Sequence, residues 1–152
     1  GNDTLNGGDG RDTASYANAV VRNSEGEVLA GDFGNVIVDL DQMTASGAHG
    51  FDRLIDIENV IGGAGNDRLT GTRSNNALSG GAGNDTLDGG GGDDVLVLGL
   101  GDDLAYGGDG NDTFVLDQGN ATLFGGAGID TIDLGNLEGD IDIDLVSGTY
   151  SA

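Results

Sequence analysis

An apolar residue recurs at every ninth position between residues 62 and 133, and glycine-rich polar segments separate these positions. Eight consecutive units fill this range without a change of register, and the clearest read GGAGNDRLT, GGAGNDTLD, GGDGNDTFV and GGAGIDTID. An aspartate stands sixth in each of these units and the apolar residue eighth. This pattern predicts short strands alternating with glycine-rich loops, as in a repeat protein.

Nine residues are too few to close a coil with two strands, so we expect two units, 18 residues, to form one coil. Units 18 residues apart would then stack at the sheet spacing of about 4.8 Å, with the eighth-position residues pointing inward in two ladders. The predicted ladders are Leu69, Leu87, Ala105, Leu123 on one side and Leu78, Leu96, Phe114, Ile132 on the other.

The rest of the chain departs from this pattern. Residues 1–15 read as partial leading repeats, residues 16–61 as an irregular β-rich insert continuing the stack, and residues 134–152 as the truncated start of a second insert. Within the first insert, Asn35–Leu40 and Leu54–Ile61 alternate like strands, which places Val36, Val38 and Leu40 on one face. The first unit lacks its opening glycines and the second insert breaks off, so we expect a fragment of a longer array. Frequent glycine and the lack of helical periodicity predict no helix.

Composition and charge limit the kinds of partner that the chain can bind. The net charge is −22, all five basic residues are arginine, and there are 32 glycines, no proline and no cysteine. Such acidity often indicates disorder, but here the aspartates recur at fixed spacing instead of forming runs. So acidic a chain repels nucleic acid and anionic membrane surfaces and attracts cations. The sequence also contains neither a signal-peptide pattern nor an apolar stretch of about 18 residues.

The predicted stacking brings sixth-position side chains together in two rows: Asp67, Asp85, Asp103, Ala121 and Asn76, Asp94, Asp112, Asp130. Two carboxylates one sheet spacing apart repel by roughly 3 to 4 kcal/mol at an effective dielectric constant near 20. A divalent cation between each pair reverses that repulsion. The donors are carboxylates and glycine-loop carbonyls, with no imidazole or thiolate, and this all-oxygen set favours calcium over magnesium.

With these residues, the array resembles the repeats-in-toxin (RTX) family. The resemblance covers roughly residues 1–15 and 62–133 and implies an all-β, right-handed parallel β-roll, with each ion between loops 18 residues apart. It implies about four to six calcium ions in residues 62–133. The implied side-chain ligands are Asp67, Asp85, Asp94, Asp103, Asp112, Asp130, Asn76, Asp12 and Asp3. The implied backbone ligands are Gly62, Ala64, Gly80, Ala82, Gly89, Gly91, Gly107 and Asp109.

Several positions depart from the family pattern. Asn76 supplies an oxygen without a charge, so its site with Asp94 should be weaker, and Ala121 supplies no oxygen for a site with Asp103. Leu98 and Leu116 replace the first glycine of their units, which predicts distorted loops. Asp3 and Asp12 lack a partner 18 residues away, which leaves their sites open.

Other chemistries find little support. The single histidine, His49, cannot make a zinc site or a catalytic triad, so we expect no enzyme activity. Asp140, Asp142 and Asp144 resemble the start of an EF-hand, but Leu145 stands where that loop needs glycine.

The family resemblance implies type I secretion from a Gram-negative bacterium and folding outside the cell. We therefore expect a calcium-binding structural module of a long secreted or surface protein, of adhesin or surface-layer type. The alternative is a folding and secretion module of a secreted hydrolase or pore-forming toxin. Apolar residues at outward positions (Leu104, Tyr106, Phe124 and Val95, Val97, Val115) further suggest cover by another segment or a protein partner.

Overall fold

The computed structural model describes residues 2–17, 34–47 and 50–135, which form thirteen strands and contain no helix. The first six strands are β1 (Thr4–Asn6), β2 (Thr13–Ser15), β3 (Val36–Asp39), β4 (Thr44–Gly47), β5 (Gly50–Ile55) and β6 (Asn59–Gly63). The array contributes β7 (Arg68–Thr70), β8 (Ala77–Ala82), β9 (Thr86–Gly91), β10 (Val95–Asp109), β11 (Thr113–Val115), β12 (Gln118–Ala127) and β13 (Thr131–Asp133). His49 and the alternating pattern at 140–145 lie outside the described residues.

The array is a parallel β-solenoid, as the sequence predicts. On one side β7, β9, β10 and β12 pair in parallel, and on the other β6, β8, β10, β11 and β13 do the same. The register confirms both predicted ladders, since Leu69 pairs with Leu87 and Leu78 with Leu96, each 18 residues along. Strand β10 runs from one side of the solenoid to the other, so a single sheet connects all thirteen strands.

The strands are longer than the three residues per unit that the pattern suggests, because the glycine loops also pair from coil to coil. Gly99 pairs with Gly81 and Gly108 with Gly90. Gly99 has a φ of +97°, and a Cβ there would collide with the Gly81 carbonyl oxygen. Glycine is therefore required here by both backbone conformation and close approach.

Two inward ladders make up the core. Leu69, Leu78, Leu87 and Leu96 have no exposed surface, and Phe114 is 1% exposed. The ladders continue beyond the array, because Val38 pairs with Leu69 and Val60 with Leu78. Each coil buries few side chains, so the apolar contacts become sufficient only when several coils stack.

The insert joins this stack but does not consist of parallel coils alone. Strand β3 lies parallel to β7, and β6 lies parallel to β8. Between them, β3, β4 and β5 form an antiparallel meander that the sequence does not predict. Its first turn is tight, with Met43 at a φ of 58°. Val36, Val38 and Leu40 are all buried, as their alternation predicts.

The leading repeats lie on the insert rather than on the array. Strand β1 pairs in parallel with β5, and β2 pairs in parallel with β6. The alanine of β2, Ala14, continues one inward ladder by pairing with Val60. The glycine-rich loop 7–12 therefore lies beside the insert loop 56–58, which connects β5 to β6.

Candidate metal centre

The sixth-position aspartates line two inner rows of the solenoid, where the strands begin. Asp85, Asp94 and Asp112 are each 1% exposed, and Asp67 is 3% exposed. One oxygen of each carboxylate is held by the neighbouring coil: the Asp67 amide donates to Asp85 Oδ1 at 2.8 Å, and the Asp94 amide donates to Asp112 Oδ1 at 2.9 Å. The loop length and the register of the stack therefore fix each carboxylate in place.

The second carboxylate oxygen has no partner within the protein. Oδ2 of each of these residues is shielded from solvent and lacks a hydrogen bond: Asp67, Asp85, Asp94 and Asp112. Leaving a buried carboxylate oxygen without a donor is costly. These orphaned oxygens repeat on successive coils, so the array contains a regular row of carboxylate oxygens that have no hydrogen-bond donor.

A backbone carbonyl faces each orphaned oxygen. A Cβ placed on Gly89 would collide with Asp94 Oδ2 and lie 2.7 Å from the carbonyl oxygen of Gly107 in the next coil. A Cβ placed on Gly80 would likewise collide with Asp85 Oδ2 and would lie 2.8 Å from the Leu98 carbonyl oxygen. Two oxygens that converge on a small volume without a donor repel each other unless a cation lies between them.

Burial also shifts the acidity of the row. Desolvation by burial raises the pKa of Asp85 from 3.8 to about 7, although the hydrogen bond from the Asp67 amide lowers it and the charges of Asp67 and Asp103 raise it further. Desolvation likewise raises the pKa of Asp94 to about 6. The pKa values of Asp67, Asp103 and Asp112 also lie above 3.8, again chiefly because of burial. Without a metal, burial thus disfavours the ionised form of these carboxylates, which is the form that binds a cation.

The donor set suits calcium. Across residues 2–17, 34–47 and 50–135, no point gathers three or more carboxylate, imidazole or thiolate side chains. An ion held between coils would take carboxylates from two coils together with backbone carbonyls. Calcium accepts six to eight oxygens of mixed type, with flexible geometry. The orphaned oxygens and the converging carbonyls fit such an ion.

Asn76 differs from its aspartate neighbours because both the oxygen and the nitrogen of its side-chain amide form hydrogen bonds. Asn76 Oδ1 accepts hydrogen bonds from the Thr72 amide at 2.7 Å and from Thr72 Oγ1 at 3.1 Å. Its Nδ2 donates to the carbonyl oxygen of Glu58 at 2.7 Å. The loop 71–76 is thus closed by its own contacts, and the predicted weaker site between Asn76 and Asp94 stays a prediction.

At Asp103 the first loop residue changes the geometry. Leu98 is 1% exposed and carries a real Cβ at the position where Gly80 and Gly89 leave room for an aspartate oxygen. The Asp103 carboxylate therefore has to lie elsewhere, although its Oδ1 still accepts the Asp85 amide at 2.8 Å. The register is unaffected, since Leu100 pairs with Ala82. Ala121, its partner in the next coil, is exposed and supplies no oxygen side chain.

The predicted backbone ligands fall into two groups. The carbonyls of Gly80, Gly89 and Gly107 face the sixth-position side chains of the preceding coil, whereas Gly62 forms the pocket around Asp67 Oδ2. Among the third-position residues Ala64, Ala82, Gly91 and Asp109, the Asp109 carbonyl accepts the Gly92 amide at 2.8 Å. The geometry therefore supports the first-position carbonyls of Gly80, Gly89 and Gly107 as ligands, whereas the Asp109 carbonyl is already occupied by a hydrogen bond.

The two ends of the series also differ. Asp130 is half-buried, and its Oδ1 accepts the Asp112 amide at 3.1 Å. Asp3 and Asp12 have no partner 18 residues away, but the insert provides one for each. Asp52 Oδ1 accepts the Asp3 amide at 2.9 Å, and Glu58 Oε2 accepts the Asp12 amide at 2.8 Å.

The repeat pattern does not identify Asp52 and Glu58 as partners, because the insert lacks the glycines of the motif. A signal does exist for Glu58, which stands 18 residues before Asn76 and thus occupies a sixth position. Only the strand register, in which Asn59 pairs with Ala77, shows that this spacing is structural.

The outward apolar residues form an aromatic pair on consecutive coils. Tyr106 and Phe124 stack with ring centroids 5.0 Å apart and planes 10° apart. They are 39% and 51% exposed, and Leu104 is half-buried beside them. Each ring covers part of the other, and both still present a large apolar face to solvent.

Comparison with models of protein families identifies the repeat. The family of the RTX calcium-binding nonapeptide repeat matches four times, at residues 1–15, 61–96, 88–123 and 117–136. No curated protein matches the chain. Within the described ranges there is also no helix long and apolar enough to cross a membrane.

Proposed function

The chain belongs to the family of RTX calcium-binding nonapeptide repeats, and from this premise we propose that it folds as calcium binds, outside the cell. It is a calcium-binding structural module, and the proposal adds the setting: a long secreted or surface protein of adhesin or surface-layer type, from a Gram-negative bacterium. Its role is structural rather than enzymatic.

The orphaned aspartate oxygens are the observation that carries this proposal. Each faces a carbonyl of the next coil, and these oxygens converge only when the coils are stacked. A cation that needs both coils binds the folded chain and not the extended one, so calcium shifts the equilibrium towards folding. The net charge of −22 opposes compaction further when the ions are absent.

Circular dichroism of the full chain tests the proposal. In chelator we expect little β structure, and on calcium titration a cooperative gain of β signal, because neighbouring coils share ligands. Magnesium serves as the control, since its preference for octahedral geometry and retained waters fits the carbonyl-rich loops poorly. Complete β structure in chelator would show that folding does not depend on calcium.

A contact on the outer face is a second, separate proposal. Its support is the exposure of the stacked Tyr106–Phe124 pair in a row whose other members, such as Thr70 and Asp88, are polar. Another segment of the parent protein or a protein partner covers this surface. Sedimentation of the parent assembly with Tyr106→Asp or Phe124→Asp tests it, and an unchanged assembly rejects it.

A further inference from the structure

The leading loop 7–12 is stacked against the insert in the same way that array loops stack against each other. Thr13 pairs with Asn59, which places Asp12 opposite Glu58. The two residues are 46 positions apart in sequence, whereas array partners are 18 apart. The insert thus brings a distant carboxylate into the position that a regular repeat would fill with aspartate.

The hydrogen bonds at this junction reproduce the array pattern. The Asp12 amide donates to Glu58 Oε2 at 2.8 Å, as the Asp67 amide donates to Asp85 Oδ1 at 2.8 Å. The connection 56–58 is shorter than the six-residue array loops, and glutamate extends one methylene further than aspartate. The longer side chain allows a short loop to make the same contact.

The junction also contains an orphaned carboxylate oxygen. Asp12 Oδ2 is shielded from solvent and has no hydrogen-bond partner, like Oδ2 of Asp94 in the array. The nearby guanidinium of Arg11 is directed to Asn59 Oδ1 at 3.2 Å and to the Asn75 carbonyl at 3.3 Å. A negative oxygen is therefore buried here without a donor.

A backbone carbonyl also lies near the Asp12 side chain. A Cβ on Gly7 would collide with the Asp56 carbonyl oxygen and with Cβ and Cγ of Asp12, as a Cβ on Gly62 would collide with the Gly80 carbonyl oxygen and with Oδ2 of Asp67. Asp56 has a positive φ of 51°, which a non-glycine residue seldom adopts. This conformation occurs in the short loop at the residue whose carbonyl faces the leading repeat.

From these contacts we propose a calcium site that joins the leading repeat to the insert, with ligands from the Asp12 carboxylate, the Glu58 carboxylate and the Asp56 carbonyl. The proposal rests on the calcium-dependent folding proposed above. Its consequence is specific: an ion here closes the segment between residues 12 and 58, and closing so long a loop has a substantial entropic cost that ion binding offsets. Attachment of residues 1–15 to the solenoid then depends on an ion outside the eight-unit array.

Calcium stoichiometry of the full chain, by native mass spectrometry and calorimetry, tests this site. We expect Asp12→Asn and Glu58→Gln each to bind one ion fewer than the unsubstituted chain, and the double variant to lose the same single ion. Asp9→Asn is the matched control, because Asp9 lies exposed in the same loop and removes the same charge. It should retain every ion.

Hydrogen exchange in calcium supplies the second measurement. In both site variants we expect strand β2 to lose protection while β9 in the array keeps it. Full stoichiometry and full β2 protection in both variants would overturn the proposal, as would loss of an ion in Asp9→Asn. These outcomes are distinct from failure of the proposed function, which would appear as a folded unsubstituted chain in chelator.

Discussion

Loops 71–76 and 89–94 are stacked directly on each other and have equal length, but they satisfy their sixth residue in opposite ways. Asn76 forms hydrogen bonds through both amide atoms, to Thr72 and to Glu58. Asp94 leaves Oδ2 buried without any donor. The side chain in the first loop thus has partners within the protein, and the carboxylate in the second leaves one oxygen for a cation. We therefore expect calcium dependence to differ from loop to loop within the repeat.

The largest expected effect comes from removing a carboxylate that serves two loop pairs. Asp112 lies between Asp94 and Asp130, so Asp112→Asn weakens two sites at once. An ion at 100 times its dissociation constant contributes about 2.7 kcal/mol to stability, and loss of two ions lowers the free energy of unfolding by about 5 kcal/mol. Urea denaturation at fixed free calcium measures this loss.

Asp109→Asn is the control for that substitution. Asp109 lies exposed in the same loop, loses the same charge and keeps its backbone carbonyl. We expect a change within about 0.5 kcal/mol. Equal losses in the two variants would mean that net charge, and not a bound ion, determines stability.

Replacing an asparagine by an aspartate tests loop 71–76, in which Asn76 already has partners within the protein. Asn76→Asp removes the donor to the Glu58 carbonyl and places a charge there, so at the lowest calcium concentration that folds the chain we expect a loss of about 1 to 3 kcal/mol. In saturating calcium the new carboxylate completes a site with Asp94, and we expect a gain of up to about 3 kcal/mol. Thermal melts at these low and saturating calcium concentrations should therefore shift in opposite directions.

Thr72→Val provides the comparison for this reversal. It removes the hydroxyl that donates to Asn76 Oδ1 but adds no charge. We expect the same small destabilisation in both conditions. If Asn76→Asp also changes stability equally in both, the loop does not acquire an ion.

The pH dependence tests the burial of the sixth-position aspartates without mutation. Burial raises the pKa of Asp85 to about 7 and of Asp94 to about 6, so in the metal-free state the folded chain binds protons more tightly than the unfolded chain. The corresponding stability is fully present below about pH 4 and is lost as the pH rises through 6 to 7. Calcium-free protein should therefore gain β signal between pH 7.5 and about 5.

With calcium the trend should reverse, because protons compete with the ion for the same carboxylates. At a fixed, subsaturating calcium concentration, the free energy of unfolding should fall as the pH is lowered from 7.5 to about 5. A metal-free chain whose circular dichroism is insensitive to pH would show that these carboxylates are not buried in that state.

The sequence is sufficient to predict the array, because its information is local and periodic. Period and glycine spacing place Leu69 opposite Leu87 and Asp94 opposite Asp112 before any coordinates are known, and the register confirms both pairings. The closure of Asn76 by Thr72 is also local, but it requires knowing the conformation of that loop.

The junction could not be predicted from the sequence. Glu58 stands in a stretch without the glycines of the motif, and its partner Asp12 is 46 residues away. Their meeting depends on the antiparallel meander β3–β5, which brings β5 beside β1. No periodic signal encodes that path.

The smallest expected change in stability comes from the fifth-position side chains, whose hydrogen bonds between coils need no ion. Fifth-position side chains join successive coils: Asn66 Oδ1 accepts the Asn84 amide at 2.8 Å, and Asn84 Oδ1 accepts the Asp102 amide at 3.0 Å. These contacts are exposed and uncharged on the acceptor side, so Asn84→Ala should cost about 1 kcal/mol. We expect the same loss at every calcium concentration that folds the chain, with unchanged ion stoichiometry. A loss that grows with calcium would instead make Asn84 part of the metal centre and extend the calcium dependence beyond the sixth position.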